Sequence, residues 1–354
     1  MKKFNEIFID KTKYGEKIQT SEYEKQGKHI IVDQGQAEIA GYTNREEGLF
    51  NEVPVIIFGD HTRLIKYIDE PFFLGADGVK VLRSKEKNAN YKYLYYALKS
   101  AKIPNTGYNR HFKWLKDVEI NYPDSVKQEK IVDILDRVSD VIEKRKAELS
   151  YLDTLIKARF VEMFGDPYVN PLKWKKLKIK DAVTIEPQNG LYKPQSDYVT
   201  DGTGIPILRI DGFYDGMVTD FASLKRLKCS ETERQRYLLL EDDIVINRVN
   251  SIEYLGKCAH IKELLEDTVY ESNMMRMHFD PEYYNPVYIC KLLCSQFIYD
   301  QIVNHAKKSV NQASINQKDV LDFNIYQPPL DLQNEFADFV HQVNKSKVVV
   351  SNIS

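Results

Sequence analysis

Two short stretches, one in each half of the sequence, mix amide, cationic and aromatic or apolar side chains: Asn105-Thr106-Gly107-Tyr108-Asn109-Arg110-His111 and Lys307-Lys308-Ser309-Val310-Asn311-Gln312. Asn and Gln can grip adenine through two hydrogen bonds, and neighbouring cations supply an attraction to phosphate that weakens with salt. The candidates here are Tyr108, Asn109, Arg110 and His111, and Lys307, Lys308, Asn311 and Gln312. A second pair is Gly59-Asp60-His61-Thr62-Arg63 and Asn247-Arg248-Val249-Asn250-Ser251, with His61, Thr62 and Arg63 matched by Arg248, Asn250 and Ser251. Arg63 and Arg248 carry the fork that fits guanine, worth roughly 1–3 kcal/mol of discrimination each. The third pair places Lys13, Tyr14, Lys17, Gln19 and Ser21 after a Lys-Tyr-Gly turn, and Tyr192, Lys193, Gln195 and Ser196 after Asn189-Gly190. A glycine followed by Lys, Gln and Ser suits close backbone approach to a phosphate. Ordinary surface turns, and for a lone arginine a surface ion pair, account for the same residue types.

Other chemistries leave weaker traces. An adenine methyltransferase needs an Asp/Asn-Pro-Pro-Tyr/Phe motif to hold an extruded base. Asn285-Pro286-Val287-Tyr288 and Asp166-Pro167-Tyr168 both lack the second proline, and Asn285 reads better as a helix entry. No Walker lysine loop or His-Glu-x-x-His zinc pattern occurs, and the seven histidines are scattered. Cys229, Cys258, Cys290 and Cys294 do not form the two tight pairs of a zinc site, which predicts reduced structural thiols and no metal. A formal charge of −2 decides nothing about nucleic acid, because a bound phosphate feels only the local field. No apolar run approaches the ~20 residues that span a bilayer, and no signal-like segment follows Met1-Lys2-Lys3-Phe4, which predicts a cytoplasmic chain without a membrane contact.

The elements that must position these loops repeat. Strand-like runs at 29–32, 53–58 and 78–82 precede a helix at 91–100. Runs at 205–210, 244–246 and 274–279 precede a helix at 286–302. Gly15, Ser21, Tyr23 and Gly27 match Gly190, Ser196, Tyr198 and Gly202 at an offset of 175. The offset then grows to 195 for Tyr93 and Tyr288, to 202 for Asn109 and Asn311, and to 205 for Pro123-x4-Gln128 and Pro328-x4-Gln333, as loop insertions would make it. Between the halves, Ile131, Leu135, Val138, Ile142, Arg145, Leu149, Leu152 and Ile156 alternate at four and three residues, a coiled-coil seam interrupted only by Arg145. Free of Gly and Pro, the segment 126–164 can form one helix about 58 Å long, begun by Asp124 or Ser125 and ended by Gly165-Asp166-Pro167. The matching seam near the C-terminus, Phe336, Val340 and Val343, runs into the β-branched tail 348–354, which predicts a short, truncated distal helix with a frayed end. The plan is therefore α+β, with a first domain at 1–124, a spacer helix at 125–165, a second similar β-rich domain at 166–329 and a distal helix at 330–354.

With this layout the sequence resembles the specificity subunits of type I restriction-modification systems. The resemblance covers nearly the whole chain. It is carried by Pro123-Asp124-Ser125-Val126-Lys127-Gln128-Glu129-Lys130-Ile131, by Leu152-Asp153-Thr154-Leu155-Ile156-Lys157-Ala158-Arg159-Phe160 and by Met163-Phe164-Gly165-Asp166-Pro167. It implies two target-recognition domains, each reading half of a split double-stranded DNA sequence, with long antiparallel coiled-coil helices setting the spacing. It also implies a non-catalytic chain with no cofactor of its own. Methyltransferase subunits carrying S-adenosylmethionine, and a restriction subunit, would be its partners. The short distal helix departs from the family pattern, and a chain that completes its coil by forming a homodimer would look the same. A scaffold that only dimerises explains the helices but not two loop-rich domains.

Overall fold

The computed structural model describes residues 1–75, 77–107, 109–214, 216–218, 220–310 and 312–352. The chain divides into two units, Met1–Lys144 and Arg145–Ser354, and the division falls inside one helix, Ser125–Phe164.

In the first unit the strand Val55–Gly59 is buried along its whole length. It lies between Val79–Ser84 and Ile65–Ile68 in a four-stranded antiparallel sheet whose other edge is Phe8–Asp10. An uninterrupted apolar run fits a strand covered on both faces. Ile56 and Phe58 face Leu94 and Leu98 of the helix Tyr91–Lys99, together with Phe4, Ile7, Phe112 and Leu115. Val55 and Ile57 face a second sheet, in which His29–Val32 pairs antiparallel with Gly41–Thr43 and parallel with Phe72–Leu74.

The second unit repeats this plan. Val183–Asn189, Met274–Phe279, Ile244–Asn247 and Cys258–His260 follow in the same order, and Gly216–Val218 and Phe213–Tyr214 extend the far edge. Ile205–Leu208 runs parallel to Val269–Tyr270 in the second layer, as His29–Val32 does to Phe72–Leu74. Each unit also closes its ends on each other, Lys2–Lys3 with Glu119–Ile120 and Lys175–Lys178 with Asn324–Gln327. The repeated Pro-x4-Gln has a physical reason: Gln128 Nε2 donates to Pro123 O, and Gln333 Nε2 to Pro328 O, both at 2.8 Å, so a buried amide fixes each helix entry.

Three expectations need correction. The helix expected at 286–302 is two helices, Pro286–Leu293 and Gln296–His305, with Ser295 in an extended conformation between them. At 100° per residue Ile289 and Ile298 would lie about 180° apart on one straight helix. Both are fully buried in one core, which only a break allows. The distal helix continues from Leu330 to Asn352 instead of fraying at 348, because a propensity deficit of a few tenths of a kcal/mol per residue ends no helix without Gly or Pro. Residues 353–354, the end of the range expected from the sequence, lie outside the described residues.

The third concerns the seam. Asp124 caps the central helix through Lys127 N–H at 2.9 Å, and Gly165 (φ +78°) ends it as expected. Ile131 and Val132 pack into the first unit's core, whereas Leu152, Ile156 and Phe160 pack against Phe336, Val340 and Val343 in the second. The two helices are antiparallel there: Asp153 pairs with Lys347, and Arg159 with Glu335 at 3.0 Å. Between these ends Val138 and Ile142 are exposed, Leu135 and Leu149 only half-buried, and Arg145 binds Glu148 at 2.7 Å on its own helix. Periodicity marks which face is apolar; it does not say how much of that face has a partner.

Among the described residues no helix is long and apolar enough to cross a membrane, and no group of three His, Cys, Asp or Glu side chains is placed to hold a metal ion. All four cysteines are free.

Candidate nucleic-acid interface

In the first unit the strand Val55–Gly59 runs into a tight reversal, with Arg63 N donating to Gly59 O and Gly59 N to Leu64 O at 2.7 and 2.8 Å. Arg63 takes φ +62°, and its Nη1 reaches back to Ile103 O at 3.4 Å. Asp60 beside it is buried and clamps the neighbouring loop. Its carbonyl accepts from His111 N and from His111 Nδ1 at 2.7 and 3.0 Å, and its carboxylate accepts from Phe112 N at 2.7 Å. With Nδ1 donating, His111 Nε2 is left to accept, and Thr106 N–H lies 3.5 Å from it.

His111 is therefore fully buried and cannot be the surface contact its sequence position suggested: the ring positions the loop 105–111 and touches no solvent. Asn109 and Arg110 remain exposed, though Asn109 Nδ2 donates to Thr106 O at 2.5 Å within the loop. Tyr108 lies outside the described residues.

The first loop joins this cluster through Leu74. Ile18 N donates to Leu74 O and Leu74 N to Glu16 O, at 2.9 and 3.1 Å. Gln34, which the sequence reading missed, then ties the pieces together. Its side-chain amide accepts from His61 N at 3.1 Å and donates to Asp77 O at 2.8 Å, and its main-chain carbonyl accepts from Thr62 Oγ1 at 2.7 Å. Lys17 is ion-paired with Asp77, and that contact, with Arg110 nearby, holds the Asp77 carboxyl below the usual carboxylate range. Lys13, Tyr14, Gln19 and Ser21 are exposed, with the Lys13 ammonium 4.8 Å from the Tyr14 ring centre.

In the second unit the same three loops meet by different bonds. Arg248 follows the strand Ile244–Asn247. Its N–H donates to Asn273 O at 2.8 Å, its carbonyl accepts from Ile315 N at 3.0 Å, and its Nη1 reaches Ser272 O at 3.2 Å. Val249–Asn250 then pairs with Ala313–Ser314, which pairs with Lys307–Lys308, so the second and third candidate loops form one ribbon. The first loop attaches at Gly190, where a Cβ would lie 2.3 Å from Tyr270 O and 2.4 Å from Glu271 O; only glycine fits. Leu191 N donates to Tyr270 O at 2.8 Å and Ser272 N to Leu191 O at 3.0 Å.

Availability differs sharply among the charged candidates. Lys193 sits between Glu233, 2.9 Å away, and Asp197, 3.6 Å away, and Glu233 above all raises its pKa. Its charge is neutralised and its side chain mostly covered, so the expectation of a free phosphate contact there is reversed. Lys307 and Lys308 are exposed and make no ion pair among the described residues. Tyr192, Gln195, Ser196 and Gln312 are exposed, Asn250 and Ser251 half-buried, and Asn311 lies outside the described residues. Arg209 is a further cation the sequence reading missed. It lies over the Tyr198 ring, 5.6 Å from its centre and 3.9 Å from Glu271.

Beneath the first loop is a buried ionic group that also left no mark in the sequence. Asp243 accepts from Arg276 Nη1 at 3.3 Å and lies 3.1 Å from His278 Nδ1; burial raises its carboxyl above the ordinary range in spite of both. Arg276 Nη2 reaches Gln188 Oε1 at 3.4 Å and Tyr270 OH donates to Gln188 O at 3.1 Å, which fixes the strand end that presents Gly190. The arrangement in both units is a sheet end bearing three mutually tied loops with exposed amides, hydroxyls and cations among the described residues.

The model of the type I restriction modification DNA specificity domain matches residues 1–151 and again 171–349, which accounts for the repeat. The specificity subunit of the type I restriction enzyme EcoKI from Escherichia coli K12 is 27% identical over 262 residues, covering 67% of this chain and 55% of that protein. The putative type I restriction enzyme MjaX specificity subunit of Methanocaldococcus jannaschii is 29% identical over 170 residues, 47% of this chain and 38% of its own. The chain thus spans about half the length, or less, of these curated relatives. Among solved structures, the S subunit of a type I restriction-modification system from M. genitalium superposes with a TM-score of 0.56 at 15% identity, over 99% of this chain and 90% of that one. A chain from a structure of type I restriction-modification complex assembly and conformational transition superposes at 0.51, also at 15% identity, over 98% and 86%. That likeness concerns the fold. With both halves matched by one domain model and the same sheet order in each, this chain belongs to the type I restriction-modification DNA specificity family.

Proposed function

We propose that this chain is the DNA-reading subunit of a type I restriction-modification complex. Each unit contacts one half of a bipartite duplex target, and partner subunits carry out methylation and cleavage. One observation carries the reading: the same three loops are tied together at the same sheet end in both units, although the bonds that tie them differ. A scaffold needs no such repeat, and an enzyme would need reacting groups that converge. S-adenosylmethionine belongs, on this reading, to the methyltransferase partner. The candidate DNA contacts are Lys13, Tyr14, Gln19, Ser21, Asn109 and Arg110 in the first unit, and Tyr192, Gln195, Ser196, Arg248, Lys307, Lys308 and Gln312 in the second.

The central helix supplies the second part of the proposal. Ile134, Val138, Val141 and Ile142 leave an apolar stripe exposed on its first half. Burying such a stripe stabilises an association by roughly 25 cal/mol per Å² of apolar surface covered. A methyltransferase subunit is the proposed occupant. Self-association of the chain through this stripe is the competing outcome.

The test is a domain exchange in the assembled complex. The chain is produced with a methyltransferase subunit of the same system, methylated sites are mapped, and residues 166–329 are replaced by the corresponding domain of another family member. One half of the methylated target should change while the other half and the spacer stay. An unchanged pattern would refute the proposal.

A further inference from the structure

The ribbon of Lys307–Lys308 and Ala313–Ser314 ends in a turn closed by Ser309 N on Gln312 O at 2.7 Å, with Ser309 Oγ on the same carbonyl at 3.0 Å. On that turn Val310 is 98% exposed, more than any other large apolar side chain among the described residues. A scattered surface valine ordinarily means nothing. This one breaks a local rule, since tight turns select Gly, Asn, Asp or Ser and a β-branched residue gains nothing there. Its supports are firm: the ribbon is hydrogen-bonded to Val249–Asn250, immediately after the anchored Arg248. Its neighbours Lys307 and Lys308 are both exposed and place two positive charges beside the tip, which favours a polyanion there. The repeat adds an independent sign, because the offset of 202 that aligns Asn109 with Asn311 sets Tyr108 against Val310, so each half of the sequence carries a bulky apolar residue at this place.

We propose that Val310 is a base-reading residue whose isopropyl group packs on the C5-methyl of a thymine in the half-site bound by the second unit. The thymine methyl is the one apolar group that base edges present in the major groove. Lys307 and Lys308 hold the flanking phosphates and set the depth of the tip. A short β-branched side chain suits methyl contact better than insertion between stacked bases, which is the work of longer wedges such as Phe, Leu, Ile or Met. This inference rests on the DNA-reading function proposed above and goes beyond it by naming a residue and the base group it reads.

The experiment uses the complete chain with its methyltransferase partner and duplexes carrying the mapped target. Each thymine of the second half-site is replaced in turn by deoxyuridine, which removes only the methyl, and affinity is compared for the native chain and Val310→Ala. One replacement should weaken the native complex about fourfold, the worth of one buried methyl group. Val310→Ala should bind the thymine and uracil duplexes equally, and Lys307→Ala should weaken both to the same extent. The inference is overturned by a second half-site without thymine, by native binding indifferent to every uracil, or by a uracil penalty that survives in Val310→Ala. It is also overturned if 2-aminopurine next to the contact brightens on binding, the mark of a wedge. Loss of the DNA-reading function is a separate result: neither protein would then distinguish the target from a scrambled second half-site.

Discussion

The two units build one scaffold and secure the same three loops by different chemistry. In the first, one backbone bond, His111 N to Asp60 O, is joined by side chains in holding the loop 105–111: the buried His111 ring and Asp60 carboxylate, with Gln34 bridging to His61, Thr62 and Asp77. In the second, the corresponding loop is held by backbone, as a ribbon paired to Val249–Asn250. Backbone pairing is indifferent to side-chain identity, so the second unit's exposed residues can vary without loss of shape. The first unit's loop depends on two particular residues. Acidic Asp60 and basic Arg248 occupy the same step after equivalent strands, one buried as a clamp and the other anchored near the surface. A repeated fold does not imply a repeated site.

The largest expected effect tests the clamp. Asp60→Ala removes the carboxylate that accepts from Phe112 N and leaves that buried N–H without a partner, a loss of about 2–3 kcal/mol. Hydrogen exchange should accelerate at residues 111–115 while the second unit keeps its protection. Methylation should lose discrimination at the first half-site only. Arg248→Ala should do the opposite, leaving stability within about 0.5 kcal/mol while weakening recognition of the second half-site. Equal melting of native and Asp60→Ala protein would remove the clamp from the account.

A smaller effect separates paired from unpaired lysines. Lys307 and Lys308 have no ion-pair partner among the described residues, whereas Lys17 is bound to Asp77 and Lys193 to Glu233. Each phosphate contact contributes about 0.9 to the slope of log affinity against log salt on duplex DNA. The double substitution Lys307→Ala and Lys308→Ala should reduce that slope by about 1.8, and Lys17→Ala should barely change it. Equal slope changes for both would mean that the ion pairs open on DNA and that exposure in the free protein is no guide to the interface.

Much of this organisation was legible before any coordinates. The spacing of Gly15, Ser21, Tyr23 and Gly27 and its recurrence at Gly190, Ser196, Tyr198 and Gly202 exposed the repeat, because turn residues at fixed offsets reflect backbone geometry. What escaped were contacts without a local signature. Asp60 and His111 are 51 residues apart in sequence, and Lys193, in a loop, is neutralised by Glu233 on the helix Glu231–Tyr237. Gln34 acts through one amide with no surrounding pattern to mark it. Lys66 left a misleading signal. Between Ile65 and Tyr67 the strand alternation reads it as outward, yet it is buried, and its ammonium donates to Asp33 O and Ala37 O at 2.8 and 2.6 Å, bracing the strand end that carries Gln34.

The smallest expected effect distinguishes the units by pH. His260 pairs in register with Ile244, and Tyr67 with Ile56 on the equivalent strand, so a histidine and a tyrosine occupy matching places. Burial lowers the His260 pKa below its ordinary value, against the pull of Asp242 at 2.8 Å and Glu241 and with the push of Lys262. Burial raises the Tyr67 hydroxyl above its ordinary value, so it does not titrate in acid. The sign follows from linkage: below a pH of about 6.5 the unfolded His260 takes up a proton that the folded site resists. Stability of the second unit therefore falls as pH drops through the unfolded value, and the loss levels off once the folded ring is protonated too. The first unit has no counterpart at this position. His260→Gln should flatten the melting temperature of the second unit between about pH 7 and 5, and Tyr67→Phe should leave the acid response of the first unchanged. If His260→Gln preserves the slope, the unit's acid sensitivity does not arise at the strand position shared with Tyr67.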